Sequence, residues 1–391
     1  MDINEPEKTT HQAAGSLRAA VTQASQGLIE RESLVETIVL AAVAGEHVLV
    51  IGPPGTAKSE AVRRVAQALG GHYFEYLLGR FTEPSEIFGP IDLQKLKSGV
   101  VEIETTGMLP EAEIAFLDEI FLGSTAILNT LLNLLNERVF RRGHTRMAVP
   151  LRICVGASNR LPDDDSLAAF ADRFLIHTFV EPIPDPRLEE LLEGGWSLAG
   201  QSAFQSPGQP ASVADLDLLA LAARKCDMGT VRGVLAHAIR RLRQAGVLLS
   251  DRRVVKAQRL VAAAAVLAGR NQPAESDVWP IVLTVPTLEQ QAVARESLRD
   301  LLQHSQNQAL SSLAEETSQG PLARATRIAR AAEHLLTIKP ATPEALNEWK
   351  LKLEGIAREI DACFLPEKLP SELIEFRQKI VLEMAPNQPG N

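Results

Sequence analysis

The sequence predicts an α/β fold in which a parallel sheet flanked by helices is followed by an all-α domain and a helical C-terminal tail. From Ser16 to about Val180, short apolar or β-branched runs alternate with longer helical stretches, the pattern of helices wound around a parallel sheet. Beyond Asp215 helical spacing returns alone. Only 4% of residues are aromatic against 45% hydrophobic, which favours Ala- and Leu-rich helix packing over a sandwich of sheets.

A chain of 391 residues exceeds the size at which one core stops growing, so several structural units are expected. Residues 1–15 are polar and acidic where a signal peptide would be basic and then apolar, and read as a disordered tail. Residues 16–185 form the α/β domain, with strands predicted at His47–Ile51, His72–Tyr76, Ile114–Leu117, Ile153–Ala157 and Leu175–Phe179. Residues 186–214, rich with their surroundings in Pro and Gly, read as a linker. Residues 215–305 read as a small helical domain, with the strongest periodicity over Val254–Leu267 behind the cap-like pair Ser250-Asp251. Residues 306–391 read as helical segments broken by prolines.

Forty basic against forty-nine acidic residues give a net charge of −9, which argues against coating nucleic acid or anionic membrane through the overall field. No apolar run approaches the roughly 20 residues that span a bilayer. Three widely spaced cysteines, Cys154, Cys226 and Cys363, support neither a disulfide framework nor a zinc cluster and fit a reducing cytoplasm.

The strongest chemical signal is Gly52-Pro53-Pro54-Gly55-Thr56-Ala57-Lys58-Ser59, behind an apolar strand and ahead of the helical run Glu60–Leu69. Amides of such a loop and helix N-terminus point inward to hold phosphate, Lys58 supplies a cation to the β and γ oxygens, and Ser59 offers its hydroxyl to Mg. The generic pattern has Gly before the lysine and this chain has Ala57, which still donates its N–H. A second apolar strand ends in Asp118-Glu119; Asp118 would hold the Mg through water and Glu119 would deprotonate the attacking water. A third ends in Ser158-Asn159, where the Asn159 amide could bond both the γ-phosphate and that water.

Beyond these local readings the chain resembles the MoxR family of AAA+ ATPases over roughly residues 16–180 and 215–300. The resemblance rests on Ala57 before the lysine and on the helix Ala126–Arg138 after the second strand. The stretches Phe81–Pro90, Thr106–Glu113 and Ser250–Arg253 resemble its RavA branch, although no β-rich insertion follows residue 305. The resemblance implies an AAA+ P-loop core with a helical lid, homohexameric rings, ATP and Mg bound where two subunits meet, and chaperone-like remodelling with a partner containing a von Willebrand factor A domain. It matches Arg173 to the finger that reaches a neighbour's γ-phosphate and Arg252 to the lid sensor, with Arg253 adjacent. It places Leu28 and Ile29 beside adenine.

The run Arg138–Val149 alternates around Gly143 and reads as a β-hairpin, concentrating Arg138, Arg141, Arg142, His144 and Arg146. This basic hairpin keeps open a nucleic-acid motor or loader resembling the minichromosome-maintenance ATPases, and slow hydrolysis would make the chain a nucleotide-gated scaffold. Three Trp and two Tyr in the whole chain offer few stacking platforms, so a protein remodeller is the favoured expectation.

Overall fold

A computed structural model describes residues 9–183, 187–200 and 209–320, and beyond them chiefly 328–329, 332–337, 343–363 and 371–384. Helix α1 (Thr10–Ser25) starts in a capping box between Thr9 and Gln12 and buries Ala13, Ala14 and Leu17. The expected tail therefore gives way to helix at Thr10. Helix α2 (Glu32–Ala44) is buried almost all round and ends at Gly45, whose φ of 70° closes it in the left-handed region.

Five parallel strands follow in the order β2-β3-β6-β1-β7: β1 (Val48–Ile51), β2 (Tyr73–Leu77), β3 (Ile114–Asp118), β6 (Ile153–Ser158) and β7 (Ile176–Phe179). All five predicted strands are present, each within a residue or two of its expected ends. Strands β1 and β6 lie between neighbours and are buried at every position, whereas edge strand β2 alternates, as a parallel sheet covered on both faces requires. Val48, Val50 and Phe116 face one core with α1, α2 and α3 (Lys58–Leu69). Leu49, Ala115 and Leu117 face the other, under α6 (Thr125–Glu137).

Between β2 and β3 the chain makes α4 (Pro84–Phe88) and α5 (Leu93–Lys97), the latter inside an excursion closed by an antiparallel bridge from Ile91 to Ile103. The predicted hairpin is present as β4 (Val139–Arg142) and β5 (Thr145–Ala148). Its tip is tied to that excursion, with His144 N donating to Val101 O (2.9 Å) and Ile103 N donating to Thr145 Oγ1 (2.7 Å). Helix α7 (Asp165–Ala171) leads into β7.

Within the stretch expected to be a linker lies a helix, α8 (Leu188–Gly200). The helical domain comprises α9 (Val213–Lys225), α10 (Gly229–Gln244), α11 (Asp251–Leu267), α12 (Leu288–Ser297) and α13 (Arg299–Leu302). Its buried residues join the same apolar cluster as α1 and α2. The junction carries charge as well: buried Glu46 pairs with Lys256 (2.5 Å) and Arg259 (2.8 Å) of α11.

Helix α14 (Ser311–Gln319) also packs into this core, so the helical tail begins as part of the main body. The carboxylate of Glu36 on α2 accepts from Leu313 N (2.6 Å) and Ser312 N (3.4 Å), capping α14. Helices α15 (Pro343–Cys363) and α16 (Ser371–Met384) build a separate small core around Trp349, Leu353, Ile356, Ile360, Leu373 and Ile380. No helix among the described residues is long and apolar enough to cross a membrane.

Candidate nucleotide site

The C-terminal ends of β1, β3 and β6 are neighbours in the sheet, so the three predicted strand tips converge. Ile51 is in register with Ser158, and Leu117 with Gly156. The loop Gly52–Ala57 leaves β1 and feeds directly into α3. Gly52 is required by space, because a Cβ there would lie 2.3 Å from Val180 O. Gly55 has φ of 77°, and Ala57 takes φ 59°, ψ 27°. That left-handed conformation costs an alanine on the order of 1 kcal/mol. It turns the chain so that the first-turn amides of α3, which have no intrahelical acceptors, open onto the loop.

Lys58 is buried and folded back onto the loop, its Nζ donating to Gly52 O (2.8 Å) and Pro53 O (2.9 Å). Burial lowers its pKa, Asp118 and Glu119 oppose that, and Arg31 adds to it. The loop is braced from behind: Arg31 donates through Nε to Thr56 O (2.8 Å) and through Nη2 to Glu181 O (2.8 Å). Thr56 Oγ1 donates to Pro53 O (2.9 Å). The side chain of Glu60 is engaged by Arg63 and Arg64 of its own helix, which leaves its backbone amide as its contribution to a phosphate.

At the tip of β3, Asp118 Oδ1 accepts from Glu119 N (2.9 Å). Glu119 itself sits at φ 49°, ψ 45°, a strained placement for a non-glycine residue. Asn159 Nδ2 donates to Glu119 Oε1 at 2.7 Å. Lys58, Asp118, Glu119 and Asn159 are thus one group.

Arg173 and Arg252 form a second group. The charges that reach the Arg173 guanidinium are Arg252 and Asp172, and burial together with Arg252 lowers its pKa. Its Nε is buried without a hydrogen-bond partner among the described residues. Arg252 is exposed and lies 3.4 Å from Asn136 Oδ1. Arg253, by contrast, is 2% exposed. It donates to Asp172 Oδ1 (2.6 Å), Leu175 O (2.9 Å), Thr284 O (2.6 Å) and Phe174 O (3.0 Å). It also lies 3.2 Å from His177 Nε2. Arg253 thereby ties the helical domain to the segment that carries Arg173, and burial together with this cation lowers the His177 pKa to about 4.

Two positions differ in exposure from the sequence reading. Leu28 is buried in the main core, whereas Ile29 is partly exposed and near Gly194 of α8. Arg138 is only partly available to a basic patch: it is half-buried, donates to Gly45 O (3.1 Å), and desolvation lowers its pKa to about 10. Arg141 pairs with Glu137 at 3.1 Å. Arg31 and Arg253 are site-building residues without a local sequence signal, since their partners lie up to 150 residues away.

The residues at hand fit a magnesium nucleotide. The loop offers amides and one cation, and Ser59 with Asp118 offers the oxygen donors that a hard cation takes. This sheet order, phosphate loop, acidic strand tip and fused helical lid define an AAA+ P-loop protein. More specifically, the chain belongs to the MoxR family: residues 15–221 match the MoxR domain of the MoxR-vWA-beta-propeller ternary systems, and residues 230–292 match an AAA lid domain.

Among its relatives are two uncharacterized proteins of Methanocaldococcus jannaschii. One is 35% identical over 251 residues, 64% of each chain. The other is 36% identical over 251 residues, 64% of this chain and 66% of its own. The matches thus span just under two thirds of either relative. Chaperone MoxR1 of Mycobacterium tuberculosis is 25% identical over 185 residues, 46% of this chain and 48% of that one. The crystal structure of a candidate ATPase from Cytophaga hutchinsonii superposes with a TM-score of 0.60 at 15% identity, covering 75% of this chain and 97% of that one. That likeness bears on the fold.

Proposed function

We propose that this chain is a Mg-dependent ATPase that assembles into a ring, with each active site completed by the neighbouring subunit, and that it remodels protein clients together with a von Willebrand factor A-domain partner. The observation that carries the reading is the meeting of Glu119 and Asn159 at 2.7 Å beside a lysine whose charge environment is set by Asp118 and Glu119. Glu119 is placed to take the proton of an attacking water, and Asn159 to orient that water and sense the γ-phosphate. Ser59 and Asp118 would hold Mg, whose charge would neutralise the phosphate oxygens. Release of Lys58 from Gly52 O and Pro53 O would free its cation for the same oxygens.

Arg252 bears on the guanidinium of Arg173, whose Nε is buried without a hydrogen-bond partner among the described residues. An unpaired guanidinium supports a role at the site of a neighbour. The partner reading rests on the matching family, the MoxR domain of MoxR-vWA-beta-propeller systems, and the remodelling reading on the likeness to the chaperone MoxR1. The RavA likeness rests on Phe81–Pro90, Thr106–Glu113 and Ser250–Arg253 alone, while the matching family is described by its ternary systems. With Arg138 half-buried and Arg141 paired with Glu137, the hairpin offers less free charge to nucleic acid than its sequence suggests. Purified protein should hydrolyse ATP only with Mg, and neither single- nor double-stranded DNA should stimulate turnover. Absence of Mg-dependent turnover would refute the enzyme, and strong DNA stimulation would replace the remodeller by a nucleic-acid motor.

A further inference from the structure

A cleft of about 530 Å³ opens where the start of α2, the end of β7, α12 and α14 meet, within the range of roughly 300–1,000 Å³ that small-molecule sites occupy. Its walls are apolar at Leu34, Phe179, Leu283 and Leu313. Among the described residues that line it, none belongs to the phosphate loop. A ligand here would therefore sit beside the nucleotide rather than in its place.

The lining charges are of both signs. Arg295 of α12 lines the cleft, and its Nε is buried without a hydrogen-bond partner among the described residues. The guanidinium lies against Gly320, where a Cβ would be 2.5 Å from that nitrogen. Burial lowers the Arg295 pKa and Glu316 opposes that. Folded proteins rarely leave such a donor unmet. Arg31 is spent on the carbonyls of Thr56, Glu30 and Glu181. Glu30 pairs with Arg187 (3.2 Å), and Glu181 has a contact of its own. Glu32 and Glu316 complete the lining charges, and both act on Arg31 and on Glu36. The charge left for a ligand is thus one guanidinium and two carboxylates. A purely anionic ligand would meet Glu32 and Glu316, and a purely cationic one would leave Arg295 unanswered. A zwitterion answers both.

We propose that this cleft binds a small zwitterion with an apolar body, a free amino acid or dipeptide, with its carboxylate on Arg295 and its ammonium on Glu316 and Glu32. Its side chain packs against Leu34, Phe179 and Leu283. The site bears on the phosphate loop through a shared wall, because Arg31 joins the cleft to that loop at Thr56 O (2.8 Å) and to the end of β7 at Glu181 O (2.8 Å). Beside it Glu30 holds a left-handed φ of 53°, a conformation that persists only where its surroundings enforce it. A ligand packed on this wall supports Arg31 and with it the loop. Ligand and ATP should therefore tighten each other's binding by the same factor. This coupling rests on the reading of Gly52–Ser59 as a phosphate loop; the binding site itself does not.

The test is calorimetric titration of the full chain, with thermal melts to confirm that each variant folds. The probes are the free L-amino acids with apolar side chains and the dipeptide of two L-leucines. At least one should bind one-to-one with a Kd of about 1 mM or tighter. Its amine-free and carboxylate-free analogues, for leucine 4-methylpentanoate and 3-methylbutylamine, should bind at least about tenfold more weakly. Arg295→Gln and Glu316→Gln should each weaken the bound probe by a similar factor, and Arg295→Lys, which keeps the charge, should recover part of the loss. A fluorescent ATP analogue should bind about fivefold more tightly with the probe saturating. Failure of every probe to bind a chain that still binds ATP, analogues that bind as well as the zwitterion, or folded variants that bind like wild type would overturn the site. Displacement of the probe by Mg-ADP would overturn it too, since the cleft would then belong to the nucleotide. Unchanged or weaker ATP affinity with the probe bound would overturn the coupling. A chain that binds the probe and no ATP would instead refute the ATPase reading.

Discussion

Arg252 and Arg253 are adjacent in sequence and do different work: Arg253 is sealed in the joint between helical domain and sheet, held by Asp172 and three backbone carbonyls, while Arg252 is exposed beside Arg173. The cause is the geometry of α11, which turns successive side chains by about 100°, so one position faces inward and the next does not.

The two arginines should therefore fail differently. Arg253→Ala strands Asp172 and three carbonyls in a buried joint, a loss of about 3–5 kcal/mol, and Arg253→Lys should rescue little of it because an ammonium cannot reproduce the planar fork. Arg252→Ala should leave the thermal midpoint within a degree or two of wild type, since surface changes cost about 0.5 kcal/mol or less, while lowering ATP turnover. Equal destabilisation by both substitutions would contradict the assignment.

Glu119→Gln keeps the shape of the site and its contact with Asn159 while losing the proton acceptor. It should bind ATP with near wild-type affinity and hydrolyse it at least about 100-fold more slowly. Lys58→Ala should do the reverse and weaken nucleotide binding, because the lost cation faces the phosphates. Equilibrium binding of a fluorescent ATP analogue, set beside steady-state turnover, separates the two. Near-normal turnover by Glu119→Gln would remove it as the base.

Glu36 supplies a pH dependence. Burial raises its pKa to about 7, with Glu32 and Glu316 adding to the rise and the amides of Leu313 and Ser312 opposing it. Between the ordinary carboxyl value and about 7 the folded chain holds a proton that the unfolded chain has released, so stability falls as pH rises through that window. The effect is on the order of 3 kcal/mol. Glu36→Gln should flatten the stability profile between about pH 5 and pH 7. An unaltered profile, followed by thermal melts across that range, would show that Glu36 does not titrate there.

What could be read from the sequence follows how local its causes are. The phosphate loop was legible because strand, glycines, lysine and helix lie within a few residues of one another, and Asp118, Glu119 and Asn159 because each ends an apolar strand. The start of α1 fell inside the stretch expected to be a disordered tail, although Thr9 and Gln12 have capping-box spacing. Helix α8 was obscured by Gly194 and Gly195, which read as a turn; Gly194 instead packs closely against Gly27. The burial of Leu28 and Arg253, the tie of Arg138 to Gly45 and the bracing of the loop by Arg31 depend on partners far away in the chain. No local pattern marks them.

The most direct test of the account asks whether Arg173 serves the neighbour's nucleotide. Arg173→Ala should be nearly inactive alone, since such a finger contributes on the order of 1,000-fold to turnover, and Glu119→Gln should be inactive for want of a base. Mixed and allowed to exchange, the two assort so that roughly one interface in four pairs an intact Glu119 with an intact Arg173. ATP turnover should then return to about a quarter of wild type. A mixture that exchanges subunits demonstrably and yet stays inactive would contradict an active site shared between neighbours.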